Sequence, residues 1–149
     1  MPVQILLVHR AETSRRRVRN EAALLAALQA LPGVVATEFV GQQHSQRDSF
    51  KLFHQADVVV GPHGAAFAFA QAMRPGTALV ELSMLDGRAN THHTYDFFRL
   101  LARRLGLHYG LVASNGSAFS ELDVDPAAAA STVALLLPRL GTTALPPRP

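Results

Sequence analysis

The chain has 149 residues and no cysteine, so it can build one domain with a substantial core but no disulfide framework and no cysteine-bound metal site. Hydrophobic residues make up 48% and charged residues 17% of the chain, a composition typical of a globular domain. The net charge of +3 is modest, but five arginines crowd into residues 10–19. A guanidinium matches phosphate and carboxylate well, so we expect the cluster to bind such an anion. No aromatic residues interleave with the cluster and no second basic patch accompanies it, so we expect no nucleic-acid partner.

Short apolar runs alternate with longer helical patterns along the chain. Strands are predicted at residues 3–8, 34–40, 57–60, 77–82 and 107–112. Five helices are predicted. The first runs from Asn20, as its N-cap, to Leu31, and the second carries Phe50 and Phe53. The others run from His63 to Met73, from Tyr95 to Leu105, and from Asp125, as the N-cap, to Leu137. This alternation is typical of an α/β protein with helices on both faces of a parallel sheet.

The pattern therefore predicts a single Rossmann-like, three-layer domain over residues 1–140, with a parallel sheet of about five strands. Residues 141–149, GTTALPPRP, are predicted to form a disordered tail. The first ten residues contain only a short apolar run, so no targeting or transmembrane segment is predicted in this chain.

The stretch DVVVGPHGAA, residues 57–66, ends a buried strand at a turn and begins a helix at once. A helix N-terminus has unpaired backbone N–H groups and a partial positive charge. Gly64 and Ala65 would let an anion approach that backbone, and His63 could add a hydrogen bond. The alternative is a tight turn in which His63 only caps the helix, and the spacing leaves both interpretations open.

Two other segments are expected at the same edge of the sheet, because ligands bind at the carboxyl ends of parallel strands. Arg10 directly follows the first strand and Arg17 precedes the first helix, so both are placed to neutralise a diphosphate. Glu81, at the end of the fourth strand, could accept hydrogen bonds from ribose or sugar hydroxyls, or pair with an arginine.

The remaining charged and imidazole side chains are expected to have no such role. We expect Arg15, Arg16 and Arg19 to be solvated individually. Adjacent His92 and His93 point in different directions and have no acidic partners at a suitable spacing, so no metal site is predicted.

Five ordered segments resemble glycosyltransferase family 61: ILLVHR, RRVRNEAALLAAL, LFHQADVVVGPHGAA, MRPGTALVEL and FFRLLARRLGLHYG. The similarity covers residues 3–112. The family includes plant arabinosyl- and xylosyltransferases that modify xylan and animal O-linked N-acetylglucosaminyltransferases. The resemblance implies the C-terminal, donor-binding half of a GT-B enzyme. Such an enzyme transfers a sugar such as xylose, arabinose or N-acetylglucosamine, with inversion, from a nucleotide sugar, here expected to be UDP-linked, to a glycan or protein acceptor.

The resemblance also implies which residues bind the donor. By position it assigns the diphosphate and nucleotide contacts to Arg10, Arg17, Asn20, His63, Gly64, Ala65 and Glu81. Many relatives follow the HGA motif with a threonine and an asparagine, where this chain has Ala68 and Phe69. The first turns of this helix therefore offer backbone donors only.

The resemblance further implies that no metal or other cofactor is needed and that the protein works in the Golgi or endoplasmic reticulum lumen. The base that deprotonates the acceptor is expected outside this chain, in a missing N-terminal GT-B domain or a separate partner chain. Within the chain, His63 is the residue considered for catalysis. The alternative is a non-catalytic nucleotide-binding module, or one subunit of a split transferase. A Rossmann oxidoreductase is not favoured, because no G-x-G-x-x-G follows the first strand.

Overall fold

The structure is a computed structural model that describes residues 1–10, 16–84, 92–116 and 121–142. Within these residues six strands form one sheet: β1 Val3–His9, β2 Val34–Val40, β3 Val58–Pro62, β4 Ala78–Met84, β5 His108–Asn115 and β6 Asp123–Val124. The strand order is β2-β1-β3-β4-β5-β6, and only the pairing of β6 with β5 is antiparallel in this sheet of described residues. The predicted parallel α/β sheet is confirmed, and β6 is added to it.

Helices cover both faces of the sheet. The described α-helices are α1 Glu21–Gln29, α2 Gln46–Gln55, α3 His92–Leu105 and α4 Pro126–Leu136, and a 3-10 helix spans Ala65–Ala72. On one face Leu24 and Leu28 of α1 and Val133 of α4 join the core. On the other, Phe53 of α2, Phe67 of the 3-10 helix and Phe98 of α3 do so. The domain therefore has the predicted three layers.

The central strands are buried along their whole length. All residues of β3 and β4 are buried, as their apolar sequences predict for strands covered on both faces. Glu81 of β4 has no exposed surface at all. A buried carboxylate is costly unless it is paired and hydrogen-bonded, so the surroundings of Glu81 require an explanation.

The helix predicted from His63 to Met73 begins later and has a different type. The structure forms a 3-10 helix from Ala65, with the N–H of Phe67 bonded to the carbonyl of Gly64. The buried residues Phe67, Ala70 and Met73 recur every three positions. This spacing matches the 3-10 period and explains why the segment does not form an α-helix.

Both predicted N-cap residues occupy the N-cap position, but only one of them caps its helix through the side chain. Asp125 caps α4 as predicted, because its carboxylate accepts the N–H of Ala127 at 3.0 Å. Asn20 precedes α1 but makes no side-chain capping hydrogen bond. Its amide is bonded elsewhere, to the backbone of β6.

Two residues beyond the predicted boundary at residue 140 are bonded to the domain. The N–H of Gly141 donates to the carbonyl of Gly76 at 3.0 Å, and Nε2 of His108 donates to the carbonyl of Thr142 at 2.8 Å. These bonds attach residues 141–142 to the domain, and residues 143–149 lie outside the described residues. Among the helices that the structure describes, none is long and apolar enough to cross a membrane.

Candidate functional site

The carboxyl ends of β1 and β3 lie at the topological switch point of the sheet. These strands are neighbours, but β1 also pairs with β2 on one side and β3 with β4 on the other. The connections that follow them therefore leave in opposite directions and open a crevice, which is where open α/β sheets bind ligands. Arg10 follows β1 directly, and His63 and Gly64 follow β3, so the structure brings these predicted residues together.

The Arg10 guanidinium lies against the backbone of the turn after β3. Its Nη1 donates to the carbonyl of His63 at 3.4 Å. A methyl group built on Gly64 would overlap Nη1, so the absence of a side chain at Gly64 makes this approach possible. Ala65 begins the 3-10 helix directly after this contact.

The charge of Arg10 lies in a setting that favours an anion. Burial lowers the pKa of its guanidinium, and the positive charge of Arg16 lowers it further. The Nε atoms of Arg10, Arg16 and Arg17 are all buried and find no hydrogen-bond partner in the described part of the chain. Buried donors without partners are costly, and a bound anion would satisfy them.

Glu81 does not face this crevice. Its Oε1 lies 2.6 Å from Nδ1 of His63, and its Oε2 accepts a hydrogen bond from the hydroxyl of Tyr109 at 2.5 Å. Because the side chain is also fully buried, it presents no exposed oxygen to a ribose, and it pairs with a histidine rather than with the arginine considered as an alternative. The ring of His63 also packs edge-on against Phe98, with centroids 4.7 Å apart.

Asn20 holds the arginine-rich segment to the edge of the sheet. Its amide nitrogen donates to the carbonyl of Val124 at 2.6 Å, and its amide oxygen accepts the N–H of Val124. Val18 pairs with Leu122 next to it. Asn20 therefore lines neither of the two clefts described below, and its contact with the donor stays a prediction.

Arg19 and Arg16, two arginines of this segment, have different surroundings. Arg19 forms an exposed ion pair with Asp123, consistent with the surface role expected of it. Arg16 was also expected to be solvated, but it lines a cleft together with His63. Its backbone is left-handed, with φ of 57°, a conformation that no sequence pattern indicated. Arg15, like the side chains of His92 and His93, lies outside the described residues.

A larger cleft of about 610 Å³ opens beside Arg10, at the carboxyl ends of β2, β1 and β3. Its walls combine aromatic rings and amide side chains with the Arg10 guanidinium: Phe39, Phe50, Phe69, Gln42, Gln46 and Gln71. Aromatic walls with a few polar groups are typical of sites for flat organic ligands. Sequence reasoning missed this cleft because its residues come from four separate segments.

A second cleft of about 410 Å³ lies on the other side of the turn. It is lined by His63 and Arg16 together with Phe97, Phe98 and Leu101 of α3. Gly64, Ala68 and Gln71 line both clefts, so the start of the 3-10 helix separates them. Among the described residues, no three histidine, aspartate or glutamate side chains cluster as metal ligands would.

Comparisons with solved structures support the fold. The chain is similar to the Streptococcus pneumonia TIGR4 flavodoxin, with a TM-score of 0.53 and 10% identity over 91% of this chain and 99% of the flavodoxin. It is also similar to the Trp repressor binding protein from Bacillus subtilis, with a TM-score of 0.50 and 9% identity over 92% of this chain and 98% of that one. At such identities the likeness shows the fold alone. The strand order β2-β1-β3-β4-β5 is the flavodoxin-like order.

Sequence comparison identifies the family. No curated protein matches the sequence. The family model described as Glycosyltransferase 61 matches residues 1–80, more than half of the chain. The match includes Arg10, His63 and Gly64 and ends one residue before Glu81. The chain therefore belongs to glycosyltransferase family 61.

Proposed function

We propose that this domain binds the nucleoside diphosphate part of a nucleotide sugar and holds the sugar for inverting transfer to an acceptor. The observation that carries the proposal is the position of Arg10. Its guanidinium lies over Gly64 at the switch point of the sheet, and its buried Nε has no hydrogen-bond partner among the described residues. A diphosphate at this point would meet that guanidinium and the start of the 3-10 helix together.

The diphosphate would be bound by cations and backbone rather than by a metal ion. Arg16 lies close enough to Arg10 for its positive charge to lower the Arg10 pKa, so an anion between the two guanidinium groups would relieve their repulsion. Each charge-assisted hydrogen bond would contribute about 1.5–3 kcal/mol. The same groups would stabilise the negative charge that develops on the leaving diphosphate.

The two clefts give the donor an orientation. The nucleobase would occupy the larger cleft, where it can stack on Phe50 or Phe69 and hydrogen-bond to glutamine amides. The sugar would then lie toward the second cleft, beside His63. Because the two clefts share Gly64, the diphosphate between them would lie where its two arms can reach both.

In the transfer step, the acceptor hydroxyl oxygen attacks the anomeric carbon from the face opposite the diphosphate. The bond from that carbon to the phosphate oxygen breaks, and its electron pair stays on the diphosphate. The hydroxyl proton goes to a base that we place in a second domain or a partner chain. In this proposal the domain supplies only the donor side of the reaction, so this chain alone should bind the nucleotide and transfer little or no sugar.

Calorimetric titration with UDP, UDP-sugars and GDP tests the proposal. Removing the Arg10 guanidinium in Arg10→Ala should weaken nucleotide binding by about tenfold or more, the loss of one charge-assisted contact. Arg19→Ala is the matched control, because it removes an arginine from the same segment that is exposed and paired with Asp123. The proposal is wrong if no nucleoside diphosphate binds at millimolar concentration, or if both variants bind as the unmodified chain does.

A further inference from the structure

Three polar side chains form a connected chain behind the turn after β3. The Tyr109 hydroxyl donates to Oε2 of Glu81 at 2.5 Å, and Oε1 of Glu81 lies 2.6 Å from Nδ1 of His63. The side chain of Glu81 is fully buried, whereas that of His63 retains 14% of its exposure. The fold thus keeps a carboxylate in its interior and connects it to the surface through one imidazole.

The register of the sheet places these groups side by side. Gly61 of β3 pairs with Glu81 of β4, and Leu79 of β4 pairs with Tyr109 of β5. Residues two apart on a strand face the same side of a sheet, so Glu81 lies on the face that carries Leu79 and Tyr109. This is the face covered by the 3-10 helix and α3, where Phe98 packs against the His63 ring.

We propose that Glu81 and Tyr109 are positioning residues that fix His63 so that its Nε2 meets the bound diphosphate. A carboxylate oxygen only accepts, so Nδ1 of His63 carries the proton of the hydrogen bond to Glu81. The ring nitrogen that remains for a ligand is Nε2, and His63 borders both Gly64 and the second cleft. This inference rests on the proposed function, because the anion it involves is the diphosphate of the donor.

The groups on either side of the His63 ring determine the hydrogen bond that Nε2 makes. One side faces the buried carboxylate of Glu81, and the other would face phosphate oxygens when the donor is bound. Phosphate oxygens only accept, so the proposed contact uses a proton on Nε2 as well as the one on Nδ1. In the bound state His63 therefore donates from Nε2–H, beside Arg10 and Arg16.

In the proposed arrangement His63 would lie beside the leaving diphosphate, whereas inversion requires the acceptor to approach from the opposite face of the sugar. The proposal therefore gives His63 no role as the base for the acceptor. The Nε2 proton stays on the ring and the hydrogen bond shortens as charge builds on the diphosphate. Glu81 and Tyr109 act on the reaction only through this ring.

The test compares UDP and inorganic pyrophosphate binding in Glu81→Gln and Tyr109→Phe, with nitrogen NMR of the His63 ring at neutral pH. In the unmodified chain, we expect a protonated Nδ1 before binding and two protonated nitrogens after it. Glu81→Gln should lose the second proton and bind UDP about tenfold more weakly. Tyr109→Phe, the milder change, should weaken binding severalfold and shift the Nδ1 signal.

Ser114→Ala is the matched control for Tyr109→Phe. It removes another β5 hydroxyl that donates a buried hydrogen bond, at 2.6 Å to the carbonyl of Ser83, away from His63. It should leave UDP affinity and the His63 signals unchanged. If Tyr109→Phe behaves like this control, the inference is wrong. It is also wrong if UDP binds the unmodified chain while Nε2 stays unprotonated. The proposed function fails separately, if the unmodified chain binds no nucleoside diphosphate.

Discussion

At the scale of single residues, Gly64 decides where the Arg10 guanidinium can lie. The backbone of Gly64 is extended, with φ of 166°, so alanine can adopt the same conformation without strain. The added methyl group would overlap Nη1 of Arg10, which is the end of a flexible side chain and can move away. Gly64→Ala should therefore fold with nearly unchanged stability but bind UDP about tenfold more weakly.

A double-mutant cycle measures whether the effect passes through Arg10. If Gly64→Ala acts by displacing the guanidinium, it should cost little in an Arg10→Ala background, and calorimetry should show strong non-additivity. Equal losses in both backgrounds would contradict the prediction and would indicate that the methyl group blocks the phosphate itself.

Glu21 at the start of α1 should make stability depend on pH. Burial raises the pKa of its carboxyl above the ordinary value of 4.5 and outweighs the opposing contact with His9. The folded chain thus holds this proton more tightly than the unfolded chain does. Protonation of Glu21 stabilises the fold at low pH, and that stability is lost as the pH rises from about 4.5 through the folded-state pKa.

Glu21→Gln should remove this loss, so the variant should gain stability relative to the unmodified chain above the window and not below it. Urea unfolding at a series of pH values measures the difference. Glu38→Gln provides a second check, because the charge of Glu38 also raises the Glu21 pKa and its removal should reduce the effect. Parallel pH profiles for Glu21→Gln and the unmodified chain would contradict the assignment.

Sequence reasoning located residues better than it located their partners. The sequence predicts Arg10 and His63 at one edge of the sheet because each lies in the connection after a strand, and the structure brings them together. The bond between His63 and Glu81 was missed because it spans 18 residues and depends on the register of two strands. One signal was available: a glutamate within the apolar run TALVEL needs a buried partner.

At the scale of elements, close packing of β3 against β1 requires a glycine. A Cβ atom on Gly61 would lie 2.7 Å from Cβ of Val8 and 3.2 Å from a ring carbon of Phe67, and both neighbours are buried. Gly61→Ala should therefore destabilise the protein by about 1–3 kcal/mol, the usual cost of overpacking a core. Chemical denaturation gives this value directly.

Gly41→Ala is the control for this substitution. A Cβ atom there would lie 3.8 Å from a ring carbon of Phe39, an ordinary contact distance, so the free energy of unfolding should stay close to that of the unmodified chain. If Gly61→Ala is as stable as Gly41→Ala, β1 and β3 can separate enough to accept the methyl group at residue 61. The close contact between these strands would then not be required for stability.

The elements that the sequence predicted well are those whose burial pattern repeats. The apolar runs of β1 and β3 identify strands without reference to the rest of the molecule. β6 has two residues and exists because Val124 and Asp123 pair with the end of β5, so only tertiary contacts reveal it. The 3-10 helix lies between these cases, since its every-third-residue spacing is visible in the sequence but is easily taken for an α-helix.

At the scale of the whole molecule, the order of the strands follows from no local signal. Alternating strands and helices predict a parallel sheet, but the same alternation fits several strand orders. The order found here puts β1 and β3 side by side at the switch point, which turns two loops distant in sequence into one crevice. The larger cleft, the second cleft and the arginines between them all depend on that one feature of the topology.

The end of the domain provides a prediction at this scale. Gly141 and Thr142 bond to Gly76 and His108, near the amino ends of β4 and β5 and at the opposite edge of the sheet from the clefts. A chain ending at residue 140 would leave the Gly76 carbonyl and the His108 ring without these partners. It should be less stable than a chain ending at residue 142 by about 1–3 kcal/mol, the cost of unpaired buried polar groups.

Comparing these two truncations, rather than either with the full chain, isolates residues 141 and 142. Thermal and urea unfolding should rank the chain ending at 142 above the chain ending at 140. UDP affinity, measured where both are folded, should be the same because the clefts lie at the other edge of the sheet. If the two truncated chains are equally stable, residues 141 and 142 add nothing to the fold, and the domain ends at residue 140 as the sequence predicts. An affinity that falls with the shorter chain would show that the two edges of the sheet are coupled.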